Sequence, residues 1–128
     1  MKKIILRPKR DQAVRRYHPW IFSGAIRKTE GDPTDGDIVA VFDHQQSYLA
    51  TGFYQDGSIA IRLISFEDRP INAAFWTEKT GEAFQLRQRL NLTDAESTNC
   101  YRLIHAEGDG LPGLIVDIYG KTAVLQCH

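Results

Sequence analysis

The fold turns on YLATGFYQDGSIAIRLIS, residues 48–65. Leu49, Thr51 and Phe53 alternate along the first half. Ile59, Ile61 and Leu63 alternate with Ala60, Arg62 and Ile64 along the second. Alternation with period two marks strands whose two faces meet different surroundings. Asp56-Gly57 parts the runs as a hairpin-type turn. The stretch therefore reads as two antiparallel strands, Tyr48–Tyr54 and Ile59–Ser65.

Toward the amino terminus the same style continues. A polar segment, Asp43–Ser47, leads back to Asp37–Phe42, rich in Ile and Val. Gly31–Gly36 (Gly-Asp-Pro-Thr-Asp-Gly) is a loop by its turn chemistry. Trp20–Ser23 and Ala25–Thr29 read as short strands around Gly24, and Lys3–Leu6 as another. Between them Asp11 is placed to cap a brief helix running to Arg16, its carboxylate accepting orphan amide protons. His18-Pro19-Trp20 ends that helix, because the residue before a proline is driven out of the helical region. Short strands in series with tight connections, and no helix between the later ones, indicate a small closed barrel.

Toward the carboxy terminus the pattern breaks at Asp68-Arg69-Pro70, the expected boundary between residues 1–69 and 70–128. Asn72 is a helix cap, with Ile71 set to pack on Trp76 as a hydrophobic staple. Phe75, Ala83, Leu86 and Leu90 recur at helical spacing, and Gly81 weakens that helix by about 1 kcal/mol. Asn91–Asn99 reads as polar loop. Tyr101–His105 is a strand, Gly108–Gly113 a loop, and Leu114–Tyr119 and Thr122–Cys127 are strands around a Gly120-Lys121 turn. An apolar strand at the very end of the chain wants a partner, so the chain reads as truncated. The expected class is mainly β with α: a small barrel, a helix, and the start of an α+β module.

The 128 residues are 42% hydrophobic and 25% charged, the balance of a soluble globular chain of one domain or one and a part. No run approaches the roughly 18–20 apolar residues of a membrane span, and the start, Met1 to Arg10, is too short in apolar residues for a signal peptide. Two cysteines make no disulfide framework, so a reducing, cytoplasmic setting is expected. The formal net charge of zero hides a split. Residues 1–28 hold nine Lys/Arg against the single acid Asp11, a net of +8, and residues 29–128 hold seven against fifteen, a net of −8. Such asymmetry fits a polyanion-binding end on an acidic body, or equally a surface whose charges balance in three dimensions.

The basic end is concentrated in Arg7-Pro-Lys-Arg-Asp-Gln-Ala-Val-Arg-Arg-Tyr-His-Pro-Trp20. Lys9, Arg10, Arg15 and Arg16 suit phosphates. His18 and Trp20 suit unpaired bases, and Arg62 on a later strand extends the patch. Cations interleaved with aromatics are what single-stranded RNA recognition uses. Against this, Trp20 divides evenly between core and contact, Phe22 is expected in the core, and Tyr17 beside the helix break is ambiguous.

Other motifs carry less. Gly108-Asp-Gly-Leu-Pro-Gly113 matches G-x-G-x-x-G, but a dinucleotide loop opens a helix and has an acidic residue about 20 positions on. Here Leu-Ile-Val-Asp-Ile-Tyr follows, a strand. Cys100, His105, Cys127 and His128 fit no metal-ligand spacing. Neither cysteine has the base and orienting group of a nucleophile. No catalytic, metal or cofactor-binding residue is assigned.

Four blocks together resemble one bacterial family: Arg16-Tyr-His-Pro-Trp-Ile-Phe-Ser-Gly-Ala-Ile26, Gly36-Asp-Ile-Val39, Ala50-Thr-Gly-Phe-Tyr54, and Tyr101 through Gly120. The family is the PUA-domain-containing class I S-adenosylmethionine-dependent methyltransferases that make 5-methylcytosine in 23S ribosomal RNA. The resemblance implies a PUA-like β-barrel for residues 1–69. For residues 70–128 it implies a linking helix and a partial α+β central module. A catalytic domain with the cofactor and the nucleophilic cysteine would belong to the parent protein; neither Cys100 nor Cys127 matches that nucleophile. Ribosomal RNA is the implied partner, no membrane is, and a homodimer is implied because members tend to dimerise. Two roles follow for this chain: holding RNA, or acting as a scaffold and dimerisation module for a catalytic domain that binds the RNA itself. An enzyme complete within 128 residues is the weakest third.

Overall fold

The structure, a computed structural model, describes residues 2–90, 93 and 100–127. The polar loop expected over 91–99 lies, but for Thr93, outside the described residues. The chain divides into two compact units, Met1–Arg69 and Pro70–His128.

In the first unit, strands β1 (Lys2–Leu6), β2 (Trp20–Phe22), β3 (Ile26–Glu30), β4 (Ile38–Phe42), β5 (Tyr48–Tyr54) and β6 (Ile59–Ser65) form one sheet in the order β2-β6-β5-β4-β1-β3. Only β1 and β4 run parallel; the other ladders are antiparallel. The edge strands β2 and β3 are joined through a 3₁₀ turn at Ser23–Ala25. A flat sheet of six strands would hold its edges about 24 Å apart, whereas the chain from Phe22 to Ile26 reaches at most about 14 Å. The sheet must curl, but among the described residues no ladder joins β2 to β3, so the closed barrel expected from the sequence is corrected to a curled, open half-barrel. Each end of the join is tied to its own ladder: Arg7 N donates to Ala25 O at 2.9 Å beyond the β1–β3 pairing, and Ser23 N to Ser58 O at 2.9 Å beyond the β2–β6 pairing.

Alternation decides what fills the curl. Ile4 and Leu6, Val39 and Val41, and Ile61 and Leu63 point into one core with Val14, Ile21, Ala50 and Ala60. Gly52 allows β5 and β6 to approach: a Cβ there would stand 2.5 Å from the Arg62 carbonyl oxygen and 2.9 Å from Ile61 Cγ2. The β5–β6 register slips at the same place, between Thr51 and Gly52.

In the second unit, helix α2 (Ala73–Arg89) is capped by Asn72, whose Oδ1 accepts from Phe75 N at 3.1 Å. It packs with a meander of β7 (Cys100–His105), β8 (Leu114–Tyr119) and β9 (Thr122–Cys127). Ala83, Ile104, Leu111 and Val116 form the core, with Trp76, Leu103, Leu114 and Ile118 against it. The apolar stripe expected on α2 is corrected in its second half: Phe75 and Ala83 are buried, but Leu86 and Leu90 are exposed, and Arg87 is buried. Arg87 makes a bidentate pair with Asp109 (2.6 and 2.9 Å), and its Nε donates to the Arg102 carbonyl at 2.9 Å. No helix among the described residues is long and apolar enough to cross a membrane.

Candidate nucleic-acid interface

The basic segment folds around helix α1 (Gln12–Arg15). Left-handed residues turn the chain at both ends of it, Lys9 (φ 66°) before and Tyr17 (φ 64°) after. Outside glycine each such position costs on the order of 1–3 kcal/mol. The turn at Tyr17 carries its ring onto Phe66, edge to face, with centroids 5.0 Å apart. Val14 holds α1 to the sheet and is buried.

Asp11 occupies the cap position, but its side chain caps no amide. This corrects the expected capping bond. The carboxylate accepts instead from Arg15 Nε at 2.6 Å. The same guanidinium donates through NH2 to Asp43 Oδ2 at 2.9 Å, and Asp43 is buried at the β4–β5 turn. The Arg15 hydrogen bond holds Asp11 below the usual carboxylate range despite opposition from burial. Arg15, expected on a phosphate, bridges α1 and the sheet through these two carboxylates.

A groove of about 330 Å³ runs between α1 and the β2 edge. Its lining includes Lys9, Arg10, Val14, Trp20, Phe22 and Gly24. Three of the residues singled out in sequence, Lys9, Arg10 and Trp20, therefore meet at one place. Trp20 is half-buried, between the two alternatives held for it. Phe22, expected in the core, is 51% exposed at the groove. In the Trp-Ile-Phe alternation Ile21 took the inward position, at 3% exposure, which turns its neighbours outward. That alternation was the signal for Phe22, but three residues do not say which face is inside. Above Gly24 the space is open: a Cβ there would meet nothing within 4 Å.

The remaining candidates lie outside the groove lining. Arg16 is exposed at the end of α1. His18 is exposed, but its Nδ1 accepts from the Trp20 amide at 3.2 Å, so it fixes the turn into β2. Arg62 stands opposite Trp20 in the β2–β6 ladder, and its guanidinium donates to Gln55 Oε1.

The glycine-rich loop has another task. A 3₁₀ turn, Ala106–Asp109, takes in its first two residues and β8 follows it. Asp109 ties the turn down, accepting from Arg87 and, at 2.6 Å, from the His105 amide. Burial pushes this carboxyl up, but those hydrogen bonds prevail and hold it low. With the Asp109 carboxylate in it and a strand rather than a helix after it, the loop does not offer helix-start amides to a pyrophosphate. Cys100 and Cys127 are both exposed.

Residues 4–66 match the family described as PUA-like domain. The chain is 40% identical over 126 residues to ribosomal RNA large subunit methyltransferase I of Alteromonas mediterranea, covering 97% of this chain and 31% of that protein. It is 42% identical over 118 residues to the protein of that name from Vibrio campbellii (91% and 29%), and 39% over 126 residues to that of Escherichia coli strain SMS-3-5 (97% and 31%). The chain thus spans under a third of these relatives. Among solved structures it resembles a putative SAM-dependent methyltransferase from Streptococcus mutans. The TM-score is 0.79 at 19% identity, over 98% of this chain and 32% of the other. A putative methyltransferase complexed with SAH gives 0.80 at 19% identity, with the same coverage. At such identity these two speak to the fold.

Proposed function

With residues 4–66 a PUA-like domain, we propose that this chain is the RNA-holding amino-terminal part of a methyltransferase acting on large-subunit ribosomal RNA. The relatives' names support the substrate, and the groove supports the role. The observation that carries the role is the convergence of Lys9 and Arg10 with Trp20 and Phe22 on one concave surface. Lys9, Arg10 and Arg16 neutralise phosphates, Trp20 faces bases, and Arg62 beside Trp20 extends the contact. His18 and Arg15 hold the elements that carry them.

On this reading the finer product is 5-methylcytosine, and the parent's methyl donor is S-adenosylmethionine. The donor and the nucleophile belong to a catalytic region of the parent; this chain binds and orients the substrate. Phosphate contacts release condensed counterions, so affinity falls with salt.

The test is a salt titration of binding to a large-subunit ribosomal RNA transcript. Three phosphate contacts predict log K falling with log salt at a slope of about −2 to −3. Lys9→Ala with Arg10→Ala flattens the slope by between about 1 and 2. An affinity indifferent to salt, or a slope unchanged by that double substitution, overturns the proposal.

A further inference from the structure

We infer that the α1–β2 groove takes a single unpaired nucleobase, with the Phe22 ring as its stacking surface, so that the chain selects single-stranded RNA over duplex. The inference rests on the RNA reading above and names the form of RNA.

Three observations lead there. Phe22 leaves half of a phenyl ring in water at the groove, on an edge strand whose neighbouring Ile21 is fully committed to the core. A ring so placed serves a ligand that offers a flat face. Duplex RNA offers phosphates, 2′-hydroxyls and groove edges, with its base faces stacked away; an unpaired nucleotide offers a face. Second, the groove is small, about 330 Å³, at the low end of the range for small-ligand sites. Its volume is of the size that one base fills. Third, the charge lies where a backbone would run. Lys9 and Arg10 share the groove lining with Phe22, so one nucleotide meets a cation at its phosphate and an aromatic at its base. Gly24, which also lines the groove, adds no bulk to it: a Cβ there would meet nothing within 4 Å.

The experiment compares a single-stranded oligoribonucleotide with the same strand annealed to its complement, at one salt concentration, using the 128-residue chain. A 2-aminopurine in the strand reports stacking by loss of fluorescence. The single strand is expected to bind at least ten-fold tighter and to quench the probe. Phe22→Ala lowers single-strand affinity about ten-fold and weakens quenching. It leaves the salt slope and the thermal midpoint unchanged, because the ring contributes little to the core. Phe22→Trp restores binding, and Phe22→Leu, apolar without a π face, does not. Equal affinity for duplex and single strand overturns the inference while the RNA-holding role stands. A Phe22→Ala loss shared equally by both RNAs also overturns it. Binding to neither RNA overturns both readings together.

Discussion

Arg15 is the residue whose role changes most between sequence and structure. In the chain it is one of four cations flanking a short helix, and nothing local separates it from Arg16. In the fold it bridges Asp11 and Asp43, 28 positions further on, and Asp43 also accepts from the Gln45 and Ser47 amides at 2.9 and 2.8 Å. Two substitutions separate strut from contact by sign. If Arg15 held a phosphate, Arg15→Ala would flatten the salt slope by nearly one, and Asp43→Asn, removing a nearby anion, would strengthen RNA binding. As a strut for α1 and thus for the groove, both substitutions weaken binding, by a factor of about 2 to 5, the scale of a partly exposed ion pair. Neither changes the slope. Stronger binding by Asp43→Asn would refute the strut. Long-range pairing of this kind is invisible to a reading of neighbours, and so was the choice between Ile21 and Phe22 for the core. Lys9, Arg10 and Trp20 were legible because a helix break and a proline hold them close in sequence as well as in space.

Among the elements, β5 and β6 were readable to the residue because each is seven residues long and is bounded by turn chemistry. Helix α2 was readable in extent from its Asn72 cap, and its buried face in the first half only, at Phe75 and Ala83. Apolar spacing pointed to Leu86 and Leu90, and the position between them, Arg87, is inside because Asp109 supplies two of its acceptors and the Arg102 carbonyl a third. A buried ion pair hides a core position from any hydrophobic pattern. Two glycines give a matched prediction. Gly52→Ala presses a methyl against the backbone of Arg62, which cannot move without breaking the β5–β6 ladder. The expected cost is about 1–3 kcal/mol. Gly81→Ala, within α2 and with nothing near its Cβ position, gains helix propensity and stabilises by up to about 1 kcal/mol. Urea midpoints measure both: Gly52→Ala lowers that of the first unit and Gly81→Ala raises that of the second. A neutral Gly52→Ala would mean that the strands separate more easily than their register suggests.

At the scale of the whole molecule, carboxylates paired with cations recur in both units, and this fixes the response to acid. In the first unit Lys2 holds Asp37 at 2.5 Å, Thr34 adds its amide and hydroxyl, and the Asp37 pKa falls to about 2. In the second, Arg102 lowers Asp117, and Arg87 with the His105 amide lowers Asp109. A carboxyl whose folded pKa lies below its unfolded value takes up its proton first in the unfolded chain. Each pair therefore contributes stability above about pH 4, the unfolded value, and loses it as pH falls through the folded value. The units can be followed separately, since the first holds Trp20 and the second Trp76. Trp76→Phe leaves Trp20 as the reporter of the first unit; Trp20→Phe leaves Trp76 for the second. Both urea midpoints are expected to hold steady from pH 7 to 5 and to fall between pH 4 and 2. In the Trp76→Phe background, Asp37→Asn lowers the midpoint at pH 7 and makes its acid decline shallower, because the most shifted carboxyl no longer titrates. An Asp37→Asn protein that declines as steeply as its parent over that interval would show that the Lys2–Asp37 pair does not set the acid limit of the first unit.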